Sequence, residues 1–155
     1  MIEIRKVLVP VDFSDCSKAA LEYAVHFGKA LRVSTVDMLH VWKPPAVLDT
    51  QANAQVANGA VQTLIDFARS EAGKAMQDFL AHLLQGGGFE VRGRLEEGEP
   101  DQKILEVVTS EQYDLIIMGT HGEQPGARLG SIAQKVVRNA RCPVLTIRSD
   151  DIADR

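Results

Sequence analysis

The chain has 155 residues, of which 45% are hydrophobic, and its formal net charge is -4. A chain of this length is most simply one domain with a full core, and its acidic balance without a basic stripe argues against nucleic acid as the main partner. No stretch approaches about 18 consecutive apolar residues, so no membrane span is expected and the default location is the cytoplasm. Cys16 and Cys142 fit neither a metal-ligand spacing nor a disulfide framework, which predicts two unrelated reduced thiols.

The first predicted strand and helix lie near the N-terminus. Residues 7–11 form a short apolar run typical of a buried strand, and Asp12 follows at its end. Ser14 or Asp15 then caps a helix, whose apolar positions recur at helical spacing as far as Leu31.

The next segment predicts a strand, a long helix and another strand. Residues 33–41 are rich in β-branched side chains and predict a strand, which consecutive prolines end. Residues 46–56 have little pattern and predict a loop. An apolar face at three- and four-residue steps predicts a helix from about 57 to 83, which three glycines end. Residues 89–95 alternate weakly, as a half-exposed strand does.

The following segment predicts a helix, a strand and a last helix. A turn at 98–100 precedes a helix with a buried face at residues 104–108. Residues 115–118 form an apolar run typical of a strand buried on both faces. A glycine-punctuated loop leads from this strand to Gly130, where the last helix begins. Its predicted buried positions are Ile132, Ala133, Val136, Val137 and Ala140.

Strands and helices therefore alternate along the chain, which ends in a strand at residues 144–147 and a polar tail, residues 149–155, that we expect to be disordered. This alternation predicts an α/β domain with a parallel sheet and helices on both faces. Ligands bind such sheets at the carboxyl ends of the strands, where the strand order reverses. Two ends are equipped for this role, after Pro10-Val11-Asp12 and after Met118. The glycine loop beyond Met118 has the geometry that presents backbone N–H groups to a phosphate.

Six short motifs occur in an order and at spacings that together resemble one family. They are Val9–Ser14, Leu39–Val41, Gly98–Pro100, Asp114–Gly122, Gly130-Ser131 and Arg141–Leu145. On these motifs the chain is identified as a member of the universal stress protein family, whose domain would span residues 1–148. The resemblance implies a Rossmann-like, three-layer α/β/α fold of the adenine nucleotide alpha hydrolase-like type. Its five-stranded parallel sheet would have the strand order 3-2-1-4-5.

The resemblance is nearer to the ATP-binding branch of the family and implies a nucleotide site. It assigns Asp12 to the ribose or adenine region and the backbone of Val41 to adenine, while the motif glycines and a serine wrap the phosphates. The implied site consists of Pro10, Val11, Asp12, Val41, Met118, Gly119, His121, Gly122, Gly130, Ser131 and Ile132. The implied ligand is ATP or another adenine nucleotide, with Mg²⁺ or Mn²⁺ on the phosphates.

The phosphate loop departs from the family pattern in two ways. Seven residues, 123–129, separate Gly122 from Gly130, where the family motif has nine. Glu123 stands where a basic or neutral residue is expected in many ATP-binding members. A carboxylate near a triphosphate is unfavourable by roughly 1 kcal/mol if exposed and by more if buried, and Arg128 could compensate in part. The altered phosphate end leaves ATP, AMP and a cyclic nucleotide as open alternatives.

Two functions follow from these features. The first is a stress-response protein that binds an adenine nucleotide as a signal or conformational ligand. The sequence has no Walker lysine and no designated base, so slow ATP hydrolysis is the most that we expect of it as an enzyme. The second is a nucleotide-free dimeric scaffold of the same family, with a closed phosphate site.

Several of these residues also have simpler interpretations. Asp12 could be a residue stabilised at a helix N-terminus. His121 has no nucleophile or acid at a pairing distance in the sequence, so we interpret it as a loop-packing or phosphate-contacting residue. His40 is flanked by apolar residues and is predicted to be a satisfied core histidine. Cys16 lies in a helix's first turn, where a redox role is the lesser alternative, and Cys142 is predicted to be structural.

In the implied strand order, the last strand lies at an edge of the sheet. An apolar edge strand leaves its backbone groups open to pairing with another chain. We therefore predict a homodimer formed by antiparallel pairing of Val144–Arg148.

Overall fold

A computed structural model describes residues 3–43, 53–55, 61–81, 90–121 and 129–148. Four helices and seven strands lie within these ranges. In chain order they are β1 (Lys6–Val11), α1 (Asp15–Leu31), β2 (Thr35–Trp42), β3 (Asn53–Gln55), β4 (Val61–Thr63), α2 (Leu64–Ala81), β5 (Glu90–Glu97), α3 (Pro100–Ser110), β6 (Leu115–Gly119), α4 (Ser131–Asn139) and β7 (Val144–Ile147). No helix in the described ranges is long and apolar enough to cross a membrane.

Five of the strands form one parallel sheet in the order β5-β2-β1-β6-β7. Numbered among themselves along the chain, these strands have the order 3-2-1-4-5, so the expected α/β fold and strand order are confirmed. The three inner strands are nearly continuous apolar runs because both of their faces are covered.

Two hydrophobic clusters lie on opposite faces of this sheet. Alternate residues of β1 contribute to each, since Val7 and Val9 belong to one cluster and Leu8 to the other. Helices α1 and α2 cover the first cluster, and α3 and α4 cover the second. Layers of helix, sheet and helix result, as the resemblance implied.

The long predicted helix begins later than expected. The segment Val61–Thr63 is strand β4, paired antiparallel with β3 at Asn53–Gln55, and the helix starts at Leu64. The prediction was wrong because this segment also has β-branched residues, Val61 and Thr63, at every second position, which is a strand pattern. The sequence fits both a helix and a strand here, and pairing with β3 selects the strand. Asn53–Gln55 likewise lies inside the predicted loop. The helix end near residue 83 and the tail at 149–155 lie outside the described residues.

Helix α4 buries a narrower stripe than its sequence predicts. Ala133 and Val136 are buried, whereas Ile132 is 39% exposed and Val137 is 46% exposed. The prediction was wrong for Ile132 and Val137 because no described element packs against these parts of α4. Ile132 faces the cavity described below.

A carboxylate is buried beneath the outer part of the sheet. The Asp37 side chain is only 1% exposed and accepts hydrogen bonds from Arg92 Nε (2.7 Å), from Arg92 Nη2 (3.1 Å) and from the Tyr113 hydroxyl. Asp37 and Arg92 are opposite each other in the β2–β5 register. Hydrogen bonding to Asp37 raises the pKa of Arg92, and burial followed by that same carboxylate raises the pKa of Tyr113. Sequence patterning gave no sign of this cluster.

Candidate functional site

A cavity of about 750 Å³ opens at the carboxyl ends of β1, β2 and β6. Strand β1 lies between β2 and β6. The strands that follow β1 in the chain, β2 and β5, lie on one side of it, and the later strands β6 and β7 lie on the other. The strand order therefore reverses at β1. A parallel α/β sheet offers its ligand crevice at such a position. The N-terminal ends of α3 and α4 close the side of the cavity.

Most of the residues that the sequence nominates line this cavity. They are Pro10, Val11, Asp12, Val41, Met118, Gly119, His121, Gly130, Ser131 and Ile132. Gly122 lies outside the described residues. Further lining residues, which the sequence did not nominate, are Ser17, Leu39, Pro100, Ile104, Leu129 and Ala133. The apolar members among them give the cavity an apolar wall. Helical periodicity alone had assigned Ile104 to the core.

One oxygen of the Asp12 carboxylate is hydrogen-bonded within the turn after β1, and the other is not. Its Oδ1 accepts hydrogen bonds from Ser14 N (3.1 Å) and Ser14 Oγ (2.5 Å), while the Ser14 hydroxyl accepts from Ser17 N at 3.2 Å and caps α1. The residue between them, Phe13, has φ = 66°, which is rare for a bulky side chain. Asp12 itself is exposed, and Oδ2 has no hydrogen-bond partner in the described part of the chain.

His40 contacts this turn through its imidazole. Its Nδ1 lies 2.9 Å from the carbonyl oxygen of Val11, and its ring lies 4.3 Å from that of Phe13, centroid to centroid. A carbonyl only accepts, so Nδ1 carries the hydrogen. The imidazole is hydrogen-bonded as predicted, but it is half-buried and stands at the end of the strand, not in the core.

The N-terminus of α4 opens into the cavity without a side-chain cap. Gly130 is the N-cap residue and makes no side-chain bond, and the first helical bond runs from Gln134 N to Gly130 O at 2.8 Å. The N–H groups of Ser131, Ile132 and Ala133 therefore have no acceptor within the helix. These free donors and the positive end of the helix dipole attract an anion.

The two described motif glycines serve different purposes. A Cβ on Gly119 would lie 3.0 Å from Cys16 Sγ and 3.1 Å from the Cys16 carbonyl carbon, so Gly119 lets β6 pack closely on α1. A Cβ on Gly130 would lie 3.4 Å from His121 Cα and from Thr120 O, which is tight but tolerable. Gly119 is thus required for helix–strand packing, whatever the cavity holds.

The described lining of the cavity carries little charge. Asp12 is its one carboxylate, and it contains no lysine or arginine. No group of three or more potential metal ligands occurs among the described residues. Asp12 is the one carboxylate of the described lining that could bind a divalent cation, so Mg²⁺ or Mn²⁺ would have to be held mainly by phosphates.

Thr120 connects the elements around the cavity, although the sequence did not nominate it. Its N–H donates to Ile147 O (2.9 Å), its carbonyl accepts from Gly130 N (2.7 Å), and its hydroxyl lies 2.9 Å from His121 Nδ1. The one feature of the sequence that could have indicated this role is the position of Thr120 between a motif glycine and His121. A threonine hydroxyl has no diagnostic pattern of its own, so only the contacts reveal this role.

The chain matches the family model described as "Universal stress protein family" over residues 3–148. This chain belongs to the universal stress protein family. Universal stress protein YxiE of Bacillus subtilis is 30% identical over 149 residues, which cover 93% of this chain and 99% of YxiE. The solved structure of the Methanocaldococcus jannaschii protein MJ0577 is 28% identical with a TM-score of 0.75, covering 95% of this chain and 97% of that one.

Solved universal stress proteins with nucleotides share this fold. They include a complex with cAMP (18% identical, TM-score 0.69, 95% and 98% of the two chains), an Arabidopsis thaliana protein with AMP bound (19%, 0.64, 93% and 91%) and an Archaeoglobus fulgidus protein with dAMP (20%, 0.57, 95% and 99%). At these identities the likeness establishes the fold alone.

Proposed function

We propose that this universal stress protein binds an adenine nucleotide in the cavity, as a signal or conformational ligand. The observation that carries the proposal is the uncapped N-terminus of α4, which opens into a cavity of about 750 Å³ at the carboxyl ends of the strands. Three free backbone donors at Ser131, Ile132 and Ala133 are matched to a phosphate group. The nucleotides carried by three relatives of the same fold support the choice of adenine.

The remaining lining residues suit the other parts of a nucleotide. The adenine ring would lie against the apolar wall near Leu39, Val41 and Ile104, whose side chains are aliphatic. Val41 lies one residue beyond the last β1–β2 pair, Val11 with His40, and so reaches the mouth of the cavity. The free Oδ2 of Asp12 would accept hydrogen bonds from ribose hydroxyls.

The described lining supports a binding role more than turnover. It contains no lysine that could neutralise a triphosphate, and the Asp12 carboxylate already accepts two hydrogen bonds from Ser14. Efficient phosphoryl transfer depends on cations and a positioned nucleophile. The ligand would therefore stay bound as a state of the protein, with slow hydrolysis of ATP as the most that the site could support.

A thermal shift panel with AMP, cAMP, ADP, ATP and GTP tests the proposal. At about 100 times the dissociation constant, a ligand that binds only the folded state adds about 2.7 kcal/mol to the free energy of unfolding, or roughly 5–10 °C in Tm. Because no described lining residue is basic, AMP and cAMP are expected to raise the Tm at least as much as ATP. GTP is the control for the base.

Absence of a shift with every nucleotide, and of adenine absorbance in the denatured protein, would contradict nucleotide binding. The nucleotide-free scaffold would then be the better description. The observation that favours this second candidate is the small amount of charge on the described lining of the cavity.

A homodimer through β7 is a separate part of the proposal. Among the described strands β7 pairs only with β6, so its other side is an open edge. Beside it α4 leaves Val137 46% exposed, and the β7 residues Val144 and Leu145 are only half-buried. Antiparallel pairing with a second copy would satisfy the edge and cover these side chains.

The direction of the backbone groups allows a selective test of this dimer. Amides of β6 and the loop after it donate to the carbonyls of Pro143 (3.0 Å) and Ile147 (2.9 Å). Because strand residues alternate, the N–H groups of Val144 and Thr146 point to the free edge. Thr146→Pro, which removes one outward donor, is expected to give a monomer in light scattering at micromolar concentration, whereas Thr146→Val stays dimeric. A dimeric proline variant with native circular dichroism would count against this interface.

A further inference from the structure

The backbone of Thr120 joins three elements at the end of β6. Its side chain is buried, at 9% exposure, although it follows the last residue of the strand. Its N–H and carbonyl connect it to Ile147 at the end of β7 and to Gly130 at the start of α4. Backbone ties of this kind fix the position from which the Thr120 side chain projects. They do not depend on the identity of the side chain, so the hydroxyl has to be explained by its own contacts.

We propose that Thr120 is a positioning residue, which holds the neutral imidazole of His121 in the tautomer that carries hydrogen on Nε2. The Nε2–H group then stands as a donor for the phosphate of the nucleotide. The identity of this acceptor rests on the proposed function above, whereas the tautomer is a property of the free protein.

A count of hydrogens limits which groups can donate around Thr120. The Cys16 thiol lies 3.2 Å from Ile147 O, and a carbonyl oxygen only accepts, so this bond uses the single thiol hydrogen. Cys16 Sγ also lies 3.8 Å from Thr120 Oγ1. In that second contact the sulfur can act only as an acceptor.

The Thr120 hydroxyl has one hydrogen and two candidate acceptors. They are Cys16 Sγ at 3.8 Å and His121 Nδ1 at 2.9 Å. A thiol sulfur is a weak acceptor, while 2.9 Å is an ordinary distance for a strong hydrogen bond to nitrogen. In the reverse arrangement Nδ1–H would donate to the hydroxyl, whose own hydrogen would be left with the weak acceptor Sγ at 3.8 Å. We therefore assign the hydroxyl hydrogen to the bond with His121 Nδ1. A neutral imidazole that accepts at Nδ1 carries its hydrogen at Nε2.

This arrangement gives His121 the same polarity as the start of α4. His121 and Ser131 line the same cavity, and Nε2 has no hydrogen-bond partner in the described part of the chain. The Nε2–H group and the backbone N–H groups at the start of α4 would then all donate hydrogen bonds to phosphate oxygens. The opposite tautomer would present a lone pair, which repels that oxygen. Thr120 thus makes His121 a phosphate ligand while the imidazole is still neutral.

The tautomer is measured directly by two-dimensional ¹H–¹⁵N correlation spectra of the imidazoles, on nucleotide-free protein at a pH where the rings are neutral. A His121→Gln variant assigns the signals. We expect the Nε2–H tautomer for His121 in the wild type and in Thr120→Ser, which keeps the hydroxyl. Thr120→Val, which keeps the shape and removes the hydroxyl, is expected to give a mixture of tautomers. An Nδ1–H tautomer in the wild type overturns the proposal, even if the valine variant does not fold.

Calorimetric titration with AMP then tests the link to the ligand. Thr120→Val is expected to bind AMP about tenfold more weakly, since a hydrogen bond to a charged group is lost or misdirected. Thr120→Ser is expected to bind as the wild type does. Equal affinity of the valine variant overturns the phosphate role. If neither the wild type nor any variant binds AMP, the proposed function is wrong. The spectra still decide whether Thr120 sets the tautomer of His121.

Discussion

Replacing Arg92 by methionine is expected to lower the free energy of unfolding by about 2–3 kcal/mol. The substitution removes the cation that faces the buried carboxylate of Asp37 and leaves it with the Tyr113 hydroxyl alone. Breaking a fully buried ion pair by removing one partner costs about 3–5 kcal/mol. The cost is lower at this position because Arg92 is 46% exposed, so water can reach part of the space that it vacates.

Thermal and urea unfolding measure this effect, which corresponds to roughly 5–10 °C in Tm. Arg5→Met is the matched control. Arg5 pairs with Glu3 at 2.7 Å, the same distance as the Arg92–Asp37 contact, but both of these side chains are about two-thirds exposed. A surface pair of this kind contributes little, so the control should unfold at the wild-type temperature. Equal effects of the two substitutions would show that the burial of Asp37 is not the cause.

A triple variant separates the ion pair from packing. Asp37→Leu, Tyr113→Phe and Arg92→Met together remove the carboxylate and both of its donors, so no buried polar group is left without a partner. Replacing a buried charge cluster by apolar side chains of similar size is often neutral or stabilising. The triple variant is therefore expected to be more stable than Arg92→Met alone.

The inner strands were predictable because the physics that forms them is local. Residues 7–11 and 115–118 are apolar runs, and a strand covered on both faces admits little else. Alternation of strands and helices then indicates a parallel sheet. The order of the strands was not derivable from these patterns, since it depends on which pairs meet in space. It came from the resemblance to the universal stress protein family.

The residues that sequence reasoning misplaced depend on neighbours distant in the chain. Val61 fits a helix and a strand equally well until β3 pairs with it. Val137 fits an amphipathic stripe, but α4 lies where no described element covers that side. Asp37 is an acidic residue within an apolar strand, and only its partners on β5 and after α3 make its burial acceptable.

In the candidate site, too, some residues could be predicted from the sequence and others could not. Asp12, Gly119 and Gly130 stand out because carboxylates and glycines at strand ends are informative residue types. Thr120 has no such signal, and its importance lies in contacts to Ile147, Gly130 and His121 that cross three elements.

Gly130→Asp is expected to lower the affinity for AMP or ATP by about 100-fold or more without unfolding the protein. An aspartate at the N-cap accepts hydrogen bonds from the first backbone N–H groups of the helix, which are the donors that the phosphate needs. Its charge also repels the phosphate, since two unit charges about 4 Å apart near a protein surface interact by roughly 4 kcal/mol. The backbone accepts the change because φ at Gly130 is -62°.

Two further variants at the same position separate size from charge. Gly130→Ala adds only a Cβ, which would lie 3.4 Å from Thr120 O and His121 Cα, and it should weaken binding modestly. Gly130→Asn caps the helix as aspartate does but without the charge, so it should bind between the alanine and aspartate variants. Titration calorimetry gives the affinities. The melting temperature of Gly130→Asp should match or slightly exceed that of the wild type, because aspartate is a better N-cap than glycine. Wild-type affinity in the aspartate variant would mean that α4 does not hold the phosphate, and the ligand would then have to be placed elsewhere on the molecule.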